Sequence, residues 1–170
     1  LLPKEYYNIN PQIYDNQFWW KKDDIEFWKR TFNSKNKTIL ELAAGTGRIG
    51  VPLKREGYDY RGVEISSSYC QYANLKFNEL CGINCVLNND MRKFNLNSTF
   101  DRVFIGFNSW LHLLTEKEAI KCLNKVKCHM HESSRFYIDI FVPNPLFLYR
   151  PKDVAIRVLE FYDNKTKQTI

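Results

Sequence analysis

Residues 38–50 read Thr38-Ile39-Leu40-Glu41-Leu42-Ala43-Ala44-Gly45-Thr46-Gly47-Arg48-Ile49-Gly50, an apolar run that breaks into closely spaced glycines. Ile39, Leu40 and Leu42 suit a short strand buried on both faces of a sheet. Gly45 and Gly47 permit a sharp turn and a close approach of the main chain to a ligand. The free amides of the helix that follows face that ligand. Working outward from this unit, the chain predicts an α/β sheet whose site lies beyond the carboxyl ends of its strands.

Gly45, Gly47 and Gly50 also spell the G-x-G-x-x-G dinucleotide pattern, with Glu64 at about the spacing of a ribose-binding acid. Glu41 separates the two readings. A carboxylate just inside the ligand end of the strand repels a pyrophosphate and welcomes a cation. The segment ELAAGTGR resembles the first motif of class I S-adenosylmethionine-dependent methyltransferases, whose methyl donor carries a sulfonium and an ammonium. Ala43 stands where many members of that family have glycine, which bears on how freely the backbone there adopts positive φ.

At 170 residues and 44% hydrophobic content, the chain can bury one core and is expected to be a single domain spanning 1–170. Its apolar runs are strand-sized rather than membrane-spanning, and the opening Leu1-Leu2-Pro3-Lys4-Glu5 has polar breaks too early for a secretory signal. The absence of an initiator Met suggests a trimmed chain or an undefined leader. Five cysteines without a regular framework point to reduced thiols and a cytoplasmic protein. Cys122, Cys128, His129 and His131 lack a second ligand pair, so no metal is expected. The net charge of +6 invites a nucleic-acid partner. Lys117, Lys121 and Lys125, however, recur at i+4 and read as a solvated helix face, which leaves a small-molecule partner as the expectation.

The segment to Pro11 lacks periodicity. From Tyr14, helical spacing of Phe18, Ile25, Trp28 and Phe32 predicts one amphipathic helix over about 14–33. Beyond the glycine turn the spacing predicts a helix over 49–56 ended by Gly57 and a strand over 58–65. A helix capped by Ser66, Ser67 or Ser68 then runs to Gly82, with Cys70, Ala73, Phe77 and Leu80 buried. Strands follow over 83–87, 100–107 and 135–142. Between the last two, Thr115 and Glu118 form a capping box for a helix with Ile120, Leu123, Val126 and Met130 on its apolar face. Regular alternation of strand and helix implies a doubly wound, mostly parallel sheet. The core is expected over 38–148, with residues 152–170 opening an antiparallel hairpin that the chain does not complete.

ELAAGTGR, the acid of GVEIS, the NNDMRKF loop and FDRVFIGFNSWLHLL together resemble successive motifs of the class I methyltransferase fold, a Rossmann-like α/β fold, over roughly residues 13–148. The likeness is strongest to bacterial stand-alone methyltransferases of small molecules, which share the aromatic N-terminal helix and an N-S-x-x-H-L segment after strand four. It implies methyl transfer from S-adenosylmethionine to a nitrogen, oxygen or carboxyl acceptor. The N-terminal helix would act as a lid, with Tyr14 and Asp15 facing the pocket. Within the resemblance Glu41, Ala43, Gly45 and Gly47 form the donor loop, and Arg48 pairs with the methionyl carboxylate. Glu64 accepts the ribose hydroxyls, Ile65 and Met91 sandwich the adenine, Asp90 accepts its amine, and Phe107 and Asn108 of the loop after strand four complete the cofactor-binding set. His112 is the candidate general base, with Tyr14 behind it and Asp139 weaker still. No Asn-Pro-Pro-aromatic box follows strand four, and no cysteine is placed to attack a pyrimidine. An NAD-dependent oxidoreductase and an RNA methyltransferase or RNA-binding module are the competing readings.

Overall fold

The computed structural model describes residues 9–149, 151, 153–154, 160, 162–163 and 167–169. Five parallel strands form its centre: β1 (Thr38–Leu42), β2 (Asp59–Glu64), β3 (Val86–Asn88), β4 (Phe100–Ile105) and β5 (Met130–Ile138), in the order β3-β2-β1-β4-β5. The order reverses at β1, which lies between β2 and β4. Loops leaving β1 and β4 therefore diverge there and open a crevice.

Helices cover both faces. α1 (Pro11–Gln17), α2 (Asp23–Phe32), α3 (Gly50–Arg55) and α4 (Ser67–Cys81) precede α5 (Glu116–Cys128) and the short α6 (Pro145–Leu148). Side chains alternate along β1: Ile39 joins Trp28, Phe32, Tyr60, Phe77 and Phe104 on one face. Leu40 and Leu42 join Val63, Phe94, Val103, Cys122 and Val126 on the other. Glu41 shares the parity of Ile39, which turns its carboxyl toward the N-terminal helices.

Two termini follow the expected chemistry. The Ser66 hydroxyl caps α4 by accepting from Tyr69 N, and Gly82 ends that helix in the left-handed region. Thr115 caps α5, although Glu118 reaches back to Leu114 N rather than to the cap residue itself.

Four expectations are corrected. The N-terminal helix over 14–33 is two helices, because the chain turns at 18–22 and the freed Lys21 carbonyl accepts from Arg48 at 2.9 Å. α1 starts at Pro11, with the Asn10 side chain as its cap and proline at its first position. On α5 the buried face carries Cys122 and Val126, while Ile120 and Leu123 are exposed. The fifth strand begins at Met130 and ends at Ile138, earlier than the 135–142 expected, since β4 pairs with it from Phe100 onward. Of the C-terminal hairpin, Tyr162–Asp163 pairs antiparallel with Gln168–Thr169, and the remainder of 152–170 lies largely outside the described residues. No helix among the described residues is long and apolar enough to cross a membrane.

Candidate active site

Three adjoining cavities of about 280, 50 and 30 Å³ all touch Ala43, at the carboxyl end of β1. The largest is lined by Val63, Ile65, Asp90, Met91, His112 and Leu113 among others. The second adds Tyr14, Gly45, Glu64, Tyr69 and Ser109; the smallest adds Glu41, Thr46, Arg48 and Phe107. Of the candidate residues, Gly47, Asn108, Asp139 and Asp15 line none of the three cavities, and the others border one crevice.

The loop from 43 to 47 coils through Ala43 at φ 57, Gly45 at φ 57 and Gly47 at φ 75. Ala43 thus holds the left-handed conformation that an L side chain disfavours, at a cost of about 1–2 kcal/mol. Three of this loop's amides are used internally. Ala44 N donates to the Val63 carbonyl at 3.0 Å. Gly45 N donates to Glu64 Oε2 at 2.7 Å, and Gly47 N donates to the Ala44 carbonyl at 2.9 Å. Glu64 Oε1 takes Ser66 N at 2.7 Å, so one amide fixes each oxygen and leaves further lone pairs for a ligand. Burial raises the Glu64 carboxyl, and the amides of Ser66, Gly45 and Ile65 pull it back.

Glu41 lies deeper. Tyr60 Oη donates to its Oε2 at 2.5 Å, and burial pushes its carboxyl up to about 8 against the pull of Tyr60 and Arg48. Arg48 is held in place. Its guanidinium pairs with Asp24 at 2.5 Å, donates to the Lys21 carbonyl and lies 4.6 Å from the centre of the Phe107 ring. That pairing holds the guanidinium beside the smallest cavity, whose lining includes Arg48 and where the resemblance implies a partner for the methionyl carboxylate. Asp24, which no motif or spacing singles out, holds the fork.

Asp15 closes the same edge. Thr46 Oγ1 donates to it at 2.5 Å and Lys76 Nζ pairs with it at 2.6 Å, tying α1 to the glycine loop and to α4. Tyr14 borders the two smaller cavities, with its ring against Phe18 and Tyr69. Tyr14 thus borders the crevice, while Asp15 beside it is held by Thr46 and Lys76.

On the far side, burial alone would raise the Asp90 carboxyl, but Arg92 holds it below the ordinary carboxylate value. Arg92 Nε and Nη2 contact both Asp90 oxygens, Arg92 N donates to Oδ1 at 2.8 Å, and Nη1 pairs with Glu118. These contacts fix the Asp90 carboxyl on the wall of the largest cavity, where the resemblance implies an acceptor for the adenine amine.

At the end of β4, Phe107 at φ 52 and Asn108 at φ 63 are consecutive left-handed residues. Asp139 holds this bend by accepting from Phe107 N at 3.0 Å, and Asn108 Oδ1 accepts from Phe141 N at 2.6 Å. Asp139 and Asn108 are therefore scaffold, and Phe107 supplies the cavity wall. His112 follows on a 3₁₀ turn, Ser109–His112, where it borders the two larger cavities and is half buried, which lowers its pKa.

His129 belongs to the scaffold as well. Its Nε2 accepts from Leu96 N at 3.0 Å and its Nδ1 faces the Lys125 carbonyl at 2.7 Å. Among the described residues no group of three or more His, Cys, Asp and Glu is placed to hold a metal, and all five cysteines are free thiols.

A parallel α/β sheet with a glycine loop after β1, an acid ending β2 and a crevice at its switch point defines the class I methyltransferase fold. The comparison with protein families agrees: the methyltransferase domain model matches residues 39–132, more than half of the chain. The chain belongs to that family. It is 32% identical over 89 residues to the putative methyltransferase YqeM of Bacillus subtilis (strain 168), covering 52% of this chain and 36% of the relative. The matched part is thus about a third of that protein's length.

Similar solved structures include the TehB-like SAM-dependent methyltransferase of Corynebacterium glutamicum ATCC 13032 (TM-score 0.65, 20% identity, 79% of this chain and 72% of that one). Others are the glycopeptide N-methyltransferase MtfA complexed with S-adenosyl-L-methionine (0.61, 22%, 69% and 53%) and the sugar N-methyltransferase KedS8 of Streptoalloteichus sp ATCC 53650 (0.60, 21%, 73% and 52%).

Proposed function

We propose that the protein transfers the methyl group of S-adenosylmethionine to a small-molecule nitrogen, oxygen or carboxyl acceptor. The observation that carries this reading is the state of the glycine loop. The amides of Gly45 and Gly47, which a pyrophosphate would need, already donate to Glu64 and to the Ala44 carbonyl. Two buried carboxyls, Glu41 and Glu64, face the crevice where a phosphate ligand would require cations. A cationic sulfonium ligand with a ribose suits that lining. The dinucleotide reading does not.

When bound, the cofactor supplies a methyl group on a sulfonium that is already a good leaving group. The chain's own residues then have to align, exclude water and manage one proton. Glu64 holds the ribose hydroxyls through the lone pairs its two amide partners leave open. Ile65 and Met91, on the wall of the largest cavity, hold the adenine. Tyr14, on α1, covers the crevice from the side where Asp15 and Asp24 lock the N-terminal helices to the loop.

His112 takes the acceptor's proton. Burial favours its neutral form, which is the form a base needs at neutral pH. The sugar and glycopeptide acceptors named for the structural relatives support a small-molecule acceptor here. Titrating S-adenosylmethionine and NAD separately into the purified protein by calorimetry tests the reading. Saturable binding of the first and none of the second is expected, and the reverse would overturn it.

A further inference from the structure

Tyr60, the second residue of β2, has no accessible surface, and the elements on either side of it are cut away to seat its ring. A Cβ added at Gly50 would stand 2.2 Å from Tyr60 Cζ and 2.3 Å from its hydroxyl, and one at Gly62 would stand 2.9 Å from that hydroxyl. Phe77 stacks on the ring at 5.4 Å and 18°. Gly50 is the third glycine of the dinucleotide-like spacing, yet its bare Cα makes room for a tyrosine rather than for a phosphate. The held hydroxyl donates to Glu41 Oε2 at 2.5 Å, and Glu41 borders the smallest cavity beside Tyr14, Arg48 and Phe107.

Building on the methyl-donor reading, we propose that Tyr60 is a positioning residue for the donor's cation site: it fixes one oxygen of Glu41, presents the carboxyl to the cavity, and couples entry of the cofactor's cation to release of the Glu41 proton. The charged and titratable groups facing Glu41 are Tyr60 and Glu64 of β2, Arg48 of the glycine loop and Asp24 of α2. Arg48 is already neutralised by Asp24, so the balance around Glu41 is anionic and its own charge lacks a partner until a cation enters. A buried carboxylate without a partner is costly, so the proton stays. On binding, the Glu41 O–H bond breaks and the proton passes to the buffer. The carboxylate left behind keeps the Tyr60 hydrogen bond and gains the ligand's positive charge, and no covalent bond forms.

The test is a calorimetric titration of S-adenosylmethionine between pH 6 and pH 9.5, in buffers of different ionisation enthalpy. Wild type is expected to release most of one proton per cofactor bound at pH 7, with release fading at the top of that range. Tyr60→Phe removes a donor that favours the carboxylate. It should weaken binding about tenfold at pH 7 and move the fading of release to higher pH. A merely structural tyrosine would lower the melting temperature and leave that pH unmoved. Glu41→Gln should bind without releasing a proton.

Binding by wild type with no proton exchange overturns the inference, as does a Tyr60→Phe profile that coincides with wild type. A failure of any binding would sink the methyl-donor reading separately. Infrared difference spectra of the unliganded protein then decide the Tyr60–Glu41 relation alone. A protonated carboxyl band at pH 7 that vanishes in Glu41→Gln and shifts in Tyr60→Phe supports it, and its absence from wild type overturns it.

Discussion

Replacing Gly50 by Ala should be among the most damaging single-methyl additions in this protein, and the structure says by how much. The new Cβ would lie 2.2 Å from Tyr60 Cζ, 2.3 Å from its hydroxyl oxygen and 2.6 Å from Cε1, all well inside the 3.4 Å of ordinary van der Waals contact. Tyr60 cannot swing aside cheaply. Phe77 stacks on it, the Gly62 main chain borders its hydroxyl, and Glu41 holds that hydroxyl at 2.5 Å. Overpacking of this kind costs about 1–3 kcal/mol. Retreat of the ring by an ångström also breaks the bond to Glu41 and leaves a buried hydroxyl and carboxyl unsatisfied, for roughly another 1–3 kcal/mol.

Gly50 opens α3, where alanine gains up to about 1 kcal/mol in helix propensity. The net loss is therefore about 3 kcal/mol, read as a lower urea midpoint at unchanged slope. Adding Tyr60→Leu to Gly50→Ala should recover part of the loss, giving a coupling energy above about 0.5 kcal/mol. Gly57→Ala is the control: its Cβ meets nothing within 4 Å, so it should lose only the roughly 1 kcal/mol of a left-handed residue and show no coupling to Tyr60. A Gly50→Ala protein within about 0.5 kcal/mol of wild type, or equal coupling at Gly57, would refute the reasoning.

The remaining predictions concern charge. Asp24→Ala strands the buried Arg48 guanidinium with only the Lys21 carbonyl and the Phe107 face, and should cost roughly 3 kcal/mol in denaturant titration. Glu64→Ala removes the acceptor of two amides and of the ribose, so cofactor affinity measured by calorimetry should fall about 100-fold, or about 2.7 kcal/mol. His112→Ala should lower turnover more than cofactor affinity. Because burial lowers the His112 pKa, the acid limb of the wild-type rate profile should have its midpoint below the ordinary 6.5, and a limb unchanged in the variant would remove His112 as the base. Glu41 is raised from 4.5 in the unfolded chain to about 8 in the fold, so its contribution is fully present below pH 4.5 and is lost as pH rises through about 8. Urea midpoints at pH 5 and pH 8.5 should therefore show wild type losing ground to Glu41→Gln at the higher pH.

The alternation of strand and helix was legible from periodicity, and so were the glycine loop, the Gly57 and Gly82 stops and the Ser66 and Thr115 caps. So was the placing of Glu41 and Glu64 at the ends of adjacent strands, because strand parity and strand length put them there. The role of Asp90 was within reach: Asp90 and Arg92 form a local turn, with Arg92 N donating to a side chain two residues back. Arg48 was not. Its partner Asp24 lies 24 residues away, on the helix that follows the turn at 18–22, where the Lys21 carbonyl also accepts from Arg48. On α5, the repeat put Ile120, Leu123 and Val126 on one face; packing against β4 and β5 kept Val126, added Cys122 and left Ile120 and Leu123 exposed.

What the sequence settled unaided is therefore whatever the backbone's own repeat and its glycine and capping residues control: the alternation that makes a parallel sheet, the glycine turn after its first strand and which loops carry the crevice. What only the tertiary structure decided is the employment of each charged side chain and the seat of Tyr60 between Gly50 and Gly62. A hydrogen bond or an ion pair is made with whatever the fold brings within about 3 Å, and spacing along the chain does not encode that distance.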